Sequence, residues 1–217
     1  MIRTGVCLIL AGAVLSTTTG CHKSGSSNPV SPRDTGIVAY KPNIYIHPAT
    51  RQEVRVQLSF PLGGELILSS PPYATGWDVT IDPDGTIDKT YQFLFYEART
   101  PDAYQYSSGW AVARDSLNSF FVRTLGTAGF SQHEIADFLE YWIPRLQGSE
   151  YYRIFPQQNS QINKIITVDI APRPSGFLRL FFVFQGTSGP PQPLVAPQLS
   201  TITRNGYFAV EWGGLMK

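Results

Sequence analysis

The segment Phe177-Leu178-Arg179-Leu180-Phe181-Phe182-Val183-Phe184 decides the fold class. Its side chains are apolar on both faces of an extended chain, so it reads as a central strand covered from two sides. Working outward, other runs show one wet face. Val54, Val56, Leu58 and Phe60 alternate with Arg55, Gln57 and Ser59, the period of a half-buried strand. Further strands are expected at residues 44–47, 65–69, 77–82, 91–97, 110–114, 162–170 and 207–212, most of them separated by Gly, Pro or Asp.

Between the strand groups lies a helical pair. Asp115 or Ser116 is placed to cap a helix running to about Gly126, with Leu117, Phe120, Phe121 and Leu125 on one stripe. Ser131 followed by Glu134 forms a capping box, after which Ile135, Phe138, Leu139, Trp142 and Leu146 recur at helical spacing. Pro144 falls inside that pattern and is expected to kink the last turn, because it has no amide hydrogen. Strands, then helices, then strands specify an α+β fold, a predominantly antiparallel sheet domain with an inserted helical pair.

Within this frame Arg179 needs an anionic partner, since a guanidinium on an apolar strand is costly to bury alone. Strand parity puts it on one face with Phe177, Phe181 and Val183. Glu97 shares an equally apolar face with Tyr91, Phe93 and Phe95, and is the expected partner; Glu211 is then left free for a ligand.

The 217 residues carry 17 Lys and Arg against 16 Asp and Glu, a formal charge of +1. No nucleic-acid partner is expected from such a balance, because that footprint is a basic excess. A hydrophobic share of 42% and an aromatic share of 13% supply a sizeable core. The short Ser- and Pro-rich stretch before residue 37 is the one linker, so residues 37–217 read as a single domain.

Known catalytic signatures are sparse. His133-Glu134-Ile135-Ala136-Asp137 begins like a metalloprotease helix but has Asp137 where the second His belongs. No G-x-S-x-G, Walker loop or G-x-G-x-x-G occurs, and with His47 and His133 as the domain's histidines and no Cys, neither a metal nor another cofactor is expected. Asp82-Pro83-Asp84-Gly85 reads as a turn rather than a calcium loop. Glu97 and Glu211 each close an aromatic strand and are the candidate catalytic pair for glycoside hydrolysis, which uses two facing carboxylates. Trp77, Trp110 and Trp212 are the candidate binding platforms for sugar rings.

Residues 1–20 read as a secretory signal: Arg3 is its positive region and residues 5–15 its apolar stretch. That stretch is too short for a spanning helix, which needs about 20 residues. Thr18-Thr19-Gly20-Cys21 resembles the lipobox of bacterial lipoproteins. The resemblance implies that Cys21 is lipidated and becomes the first mature residue. Residues 21–36 are a polar tether, and His22 in place of Asp implies the outer membrane in a diderm organism.

Several blocks together resemble a family of bacterial exported proteins. They are Lys41-Pro42 with Ile44-Tyr45-Ile46-His47-Pro48, Gly76-Trp77, Phe93-Leu94-Phe95-Tyr96-Glu97, Tyr141-Trp142-Ile143-Pro144, Phe181-Phe182-Val183-Phe184 and Val210-Glu211-Trp212-Gly213-Gly214. The chain departs from the family pattern at His47 and Tyr96. The resemblance brings no established activity. The expected function is therefore a membrane-anchored envelope lipoprotein acting as a binding or structural module for a glycan or protein ligand; the alternative is an envelope glycan hydrolase.

Overall fold

The computed structural model describes Met1 and residues 36–217, and residues 36–217 belong to one compact unit. Apart from Met1 and Gly36, the expected signal and the tether with Cys21 lie outside the described residues.

In chain order the domain runs through β1 (Ile37–His47), β2 (Gln52–Ser59), β3 (Glu65–Ser70), β4 (Trp77–Ile81), β5 (Leu94–Thr100) and β6 (Trp110–Ala113). The helical pair α1 (Leu117–Ala128) and α2 (Gln132–Trp142) follows. Then come β7 (Tyr151–Gln158), a single helical turn α3 (Asn159–Ile162), β8 (Thr167–Ala171), β9 (Gly176–Thr187) and β10 (Phe208–Met216). Seven strands form one sheet in the order β3-β5-β1-β10-β9-β7-β6, and three form a second in the order β4-β2-β8. All pairings are antiparallel except β9 with β10, which run parallel. The fold is α+β and sheet-dominated, as the pattern of strands around a helical pair specifies.

The large sheet is covered on both faces, which is why β9 has no wet side. Phe181 and Val183 of β9 pack with Val54, Val56, Trp77 and Ile81 of the small sheet. Leu180, Phe182 and Phe184 pack with Phe121, Phe138 and Trp142 of the helices. Glycine permits the closest approach on the helix side: a Cβ on Gly214 would stand 2.4 Å from Cζ2 of Trp142.

The helix signals hold with local changes. Ser131 and Glu134 form the capping box, with the Ser131 amide donating to Glu134 Oε2 at 2.7 Å. Ser116 is the N-cap of α1 but makes no side-chain cap bond, because a 3-10 turn at Arg114–Ser116 leads into the helix. Pro144 does more than kink: α2 ends at Trp142, and the chain continues in turns whose Arg145 and Leu146 amides both return to the Trp142 carbonyl. Leu146 still reaches the core.

Two strand expectations change. Residues 162–166 are not extended, since α3 and a turn precede β8. Strand β7 was not among the expected strands; it contains Pro156, a residue that is unusual inside a sheet. It is tolerated since β6 pairs β7 only as far as Ile154, so no β6 ladder bond is lost at Pro156. The Pro156 carbonyl accepts instead from Gln105 Nε2 at 2.6 Å.

Candidate functional site

The expected pairing of Arg179 with Glu97 is wrong, and the register shows why. Arg179 and Glu211 are directly opposed in the parallel β9–β10 ladder and face the small sheet. On β5 that face is taken by Leu94, Tyr96 and Ala98, so Glu97 points to the helix side with Phe93. Parity assigns faces within one strand; it does not say which face two strands share.

Arg179 is closed in on all sides. Its Nε donates to Glu211 Oε2, its Nη1 donates to Asn163 Oδ1 at 2.7 Å and to the Ile166 carbonyl at 2.6 Å, and its Nη2 reaches the Tyr96 hydroxyl at 3.4 Å. Tyr96 in turn donates to Glu211 Oε1 at 2.7 Å. Burial opposes the guanidinium's charge most strongly, but Glu211 and Tyr96 together outweigh it and raise the Arg179 pKa; burial and Glu211 together push the Tyr96 phenol well up. A fully enclosed, paired Glu211 on one face and a half-buried Glu97 on the other cannot flank one glycosidic bond.

The candidate sugar platforms are likewise corrected in part. Trp77 and Trp212 are 2% and 0% exposed and belong to the two cores. Trp77 donates its indole N–H to the Pro71 carbonyl at 2.8 Å, and Trp212 meets Phe138 edge-on at 5.2 Å. Trp110 keeps partial exposure beside Phe120.

A different group of side chains lines an open pocket of about 360 Å³ beside α2: Lys41, Asn43, Phe93, Asp137, Glu140, Tyr141 and Arg145. It begins in a defect of β1. Between Tyr40 and Asn43 the strand carries one more residue than β10 opposite, and Lys41 takes a left-handed φ of 54° there. Such a bulge re-aims a side chain. The Lys41 ammonium consequently lies over the rings of Phe95 and Phe93, at 4.2 and 4.9 Å. Burial lowers its pKa even though Asp137 and Glu97 pull the other way. Burial also raises the Glu97 carboxyl, partly offset by the Lys41 amide and the Tyr141 hydroxyl.

Helix α2 supplies the opposite wall, with Asp137, Glu140 and Tyr141 at i, i+3 and i+4. Beyond its end, Arg145 stacks on Tyr141 at 3.6 Å and donates to the Tyr141 carbonyl at 2.7 Å. Asn43 is fully buried at the pocket's edge. Its Nδ2 donates to the Tyr45 hydroxyl at 3.3 Å, and Tyr45 spends its only hydrogen on Asp137 Oδ2 at 2.7 Å. That relay orients the Asn43 amide and leaves Oδ1 as an acceptor without a donor. Buried acceptors without donors are rare in proteins.

A neighbouring cluster is structurally complete. Glu134 accepts from Arg204 Nη1 at 2.7 Å and Nη2 at 2.9 Å, and His47 Nε2 lies 3.3 Å from its Oε1. Burial alone pushes the Glu134 carboxyl up, but His47, Arg204 and the Ser131 amide bring it down to about 2. This cluster ties the β9–β10 connection to the start of α2. Asp82-Pro83-Asp84-Gly85 is a turn closed by the Gly85 amide on the Asp82 carbonyl at 2.9 Å. Among the described residues, no group of three or more His, Cys, Asp or Glu is arranged to hold a metal.

Other surface hollows offer less chemistry. One of about 610 Å³ around Ile202 and Phe177 has no charged side chain in its lining. The one on the small sheet, about 420 Å³, contains the Arg55–Asp78 ion pair. Sequence reasoning did not single out Lys41, Asn43 or Arg145 as a site. The only local signal was Lys41-Pro42 interrupting an apolar strand. No family model, curated protein or solved structure matches the chain.

Proposed function

We propose that the domain is a ligand-binding module whose site is the Lys41–Asn43–Arg145 pocket. One observation carries the reading: a fully buried Asn43 keeps an unused acceptor at the edge of an open pocket that also holds an incompletely hydrated Lys41 cation. The pocket's size falls in the range of small-molecule sites, about 300–1,000 Å³. A ligand donor that reached Asn43 Oδ1 would regain what burial of that oxygen costs. The lining holds no Ser, Thr, Cys or His, and we read the site as one of recognition rather than turnover.

The test is an NMR screen of the protein against peptidoglycan fragments, polysaccharides and a small-fragment library. Saturable binders that shift the amides of Lys41, Asn43 and Tyr141 support the reading. Turnover of any of these, or binders that map only elsewhere, overturns it.

We further propose that this module works on the outer side of a bacterial membrane, held there through lipidated Cys21. The signal-like residues 1–20, the lipobox-like Thr18-Thr19-Gly20-Cys21 and the polar residues that follow support this. Cys21→Ser is expected to leave the exported protein unacylated and released from membranes. Mass spectrometry finding no acyl chain on Cys21 removes the anchor.

A further inference from the structure

We infer that the pocket takes a small zwitterion, a molecule with a carboxylate and an ammonium a few bonds apart, such as an amino acid or a short peptide with free ends. The inference rests on the binding-module reading and adds the ligand's chemistry. It follows from the balance and state of the lining groups. Lys41 and Arg145 are opposed in the lining by Asp137 and Glu140, and the half-buried Glu97 carboxyl beside it also acts on both cations, so both signs meet in one small concavity. A purely anionic ligand drawn by the two cations meets two carboxylates, and a purely cationic one meets two cations. A molecule that carries both signs answers both walls.

The cations are available for this. Lys41 and Arg145 rest on aromatic rings, and among the described residues neither forms an ion pair. Resting on a ring leaves a cation's N–H donors able to turn toward a carboxylate; Arg145 commits Nη1 to the Tyr141 carbonyl and also acts on the Tyr141 hydroxyl. On the acidic side, Asp137 is held by the Tyr45 hydroxyl and lies 3.7 Å from His133 Nε2, while Glu140 is exposed on the helix. Asn43 Oδ1 adds a neutral acceptor that an ammonium can satisfy along with a carboxylate. A neutral sugar fits less well, because the cations already cover a face of both Phe93 and Tyr141.

The experiment uses the chain carrying Cys21→Ser and three probes: alanyl-alanine, its N-acetyl form and its C-terminal amide. Binding is read from the amide shifts of Lys41, Asn43 and Tyr141. The free dipeptide is expected to saturate the site, and masking either end to weaken it about tenfold or more, as loss of a charge-assisted hydrogen bond does. Arg145→Gln and Lys41→Gly are expected to erase the preference for a free carboxylate with the melting temperature preserved; glycine keeps the left-handed backbone at position 41. Equal binding of all three probes overturns the zwitterion assignment, as does tighter binding of inorganic phosphate than of the dipeptide. Failure of the dipeptide while library fragments still enter the pocket also overturns it, yet leaves the binding-module reading standing. Failure of dipeptide and fragments alike overturns both.

Discussion

Arg179 with Glu211 and Lys41 with Arg145 are charged groups placed on opposite faces of the same large sheet, and they have opposite fates. The first pair is sealed and saturated: four acceptors or hydroxyls surround the guanidinium, and Tyr96 completes the carboxylate. The second group is open and incomplete, with cations resting on rings and an amide oxygen lacking a donor. A closed polar cluster in a core specifies how strands align, because any other alignment leaves a buried charge alone. An open, unfinished one is available to something outside the chain. The difference follows from what covers each face: a second sheet closes over Arg179, while α2 ends at Trp142 and leaves the β1 bulge uncovered beside it.

The comparison is broken most severely by removing one member of the sealed pair. Arg179→Met or Glu211→Gln is expected to cost about 3–5 kcal/mol in chemical denaturation, since each leaves its buried partner unpaired. Near-native stability of either variant would show that the cluster is not what aligns β9 with β10.

An intermediate effect belongs to Glu134, which lies between the two extremes: buried itself, but paired with an Arg204 side chain that is 27% exposed. Its carboxyl sits at about 2 in the fold against an ordinary 4.5. A depressed acid stabilises the fold above the unfolded value, and that contribution is lost as pH falls from about 4.5 toward 2. Glu134→Gln is therefore expected to lose about 2–3 kcal/mol at neutral pH. The gap between variant and parent should close as denaturation is repeated at falling pH. A gap that stays constant down to pH 2 would remove the ionic account of this contact.

The smallest effects are expected at the open site. Arg145→Ala should change stability by less than about 0.5 kcal/mol, because its side chain is exposed and its partners keep other bonds. Glu97→Gln should change it by less than about 1 kcal/mol, since burial already disfavours the ionised form and the amide keeps the shape. Destabilisation of either by as much as Arg179→Met would erase the contrast.

The fold was largely legible and the site largely not, for one physical reason. Periodicity is local: it exposes β9 as covered on two faces, β2 as half-wet, and Ser131 with Glu134 as a helix start. Strand β7 escaped it; its Pro156 is acceptable only where β6 has already ended, a fact about a neighbour. The Glu97 assignment failed likewise, since it depended on which faces of β5 and β9 coincide. The open site joins Lys41, Phe93, Asp137 and Arg145 across the chain, and its distinguishing feature is a missing hydrogen-bond donor. No residue type announces that. Even the tryptophans, which suggested sugar platforms, are decided by register: Trp212 turns inward with Phe208 and Val210 toward the helices.

The measurement that bears most directly on the open site is a crystal structure of the chain carrying Cys21→Ser, grown with saturating alanyl-alanine in a lattice that leaves the pocket uncovered. The dipeptide is expected between the β1 bulge and α2, with its carboxylate at Lys41 and Arg145 and its ammonium toward Asp137 and Asn43. A dipeptide bound elsewhere, or an empty pocket in such crystals, would contradict the zwitterion assignment.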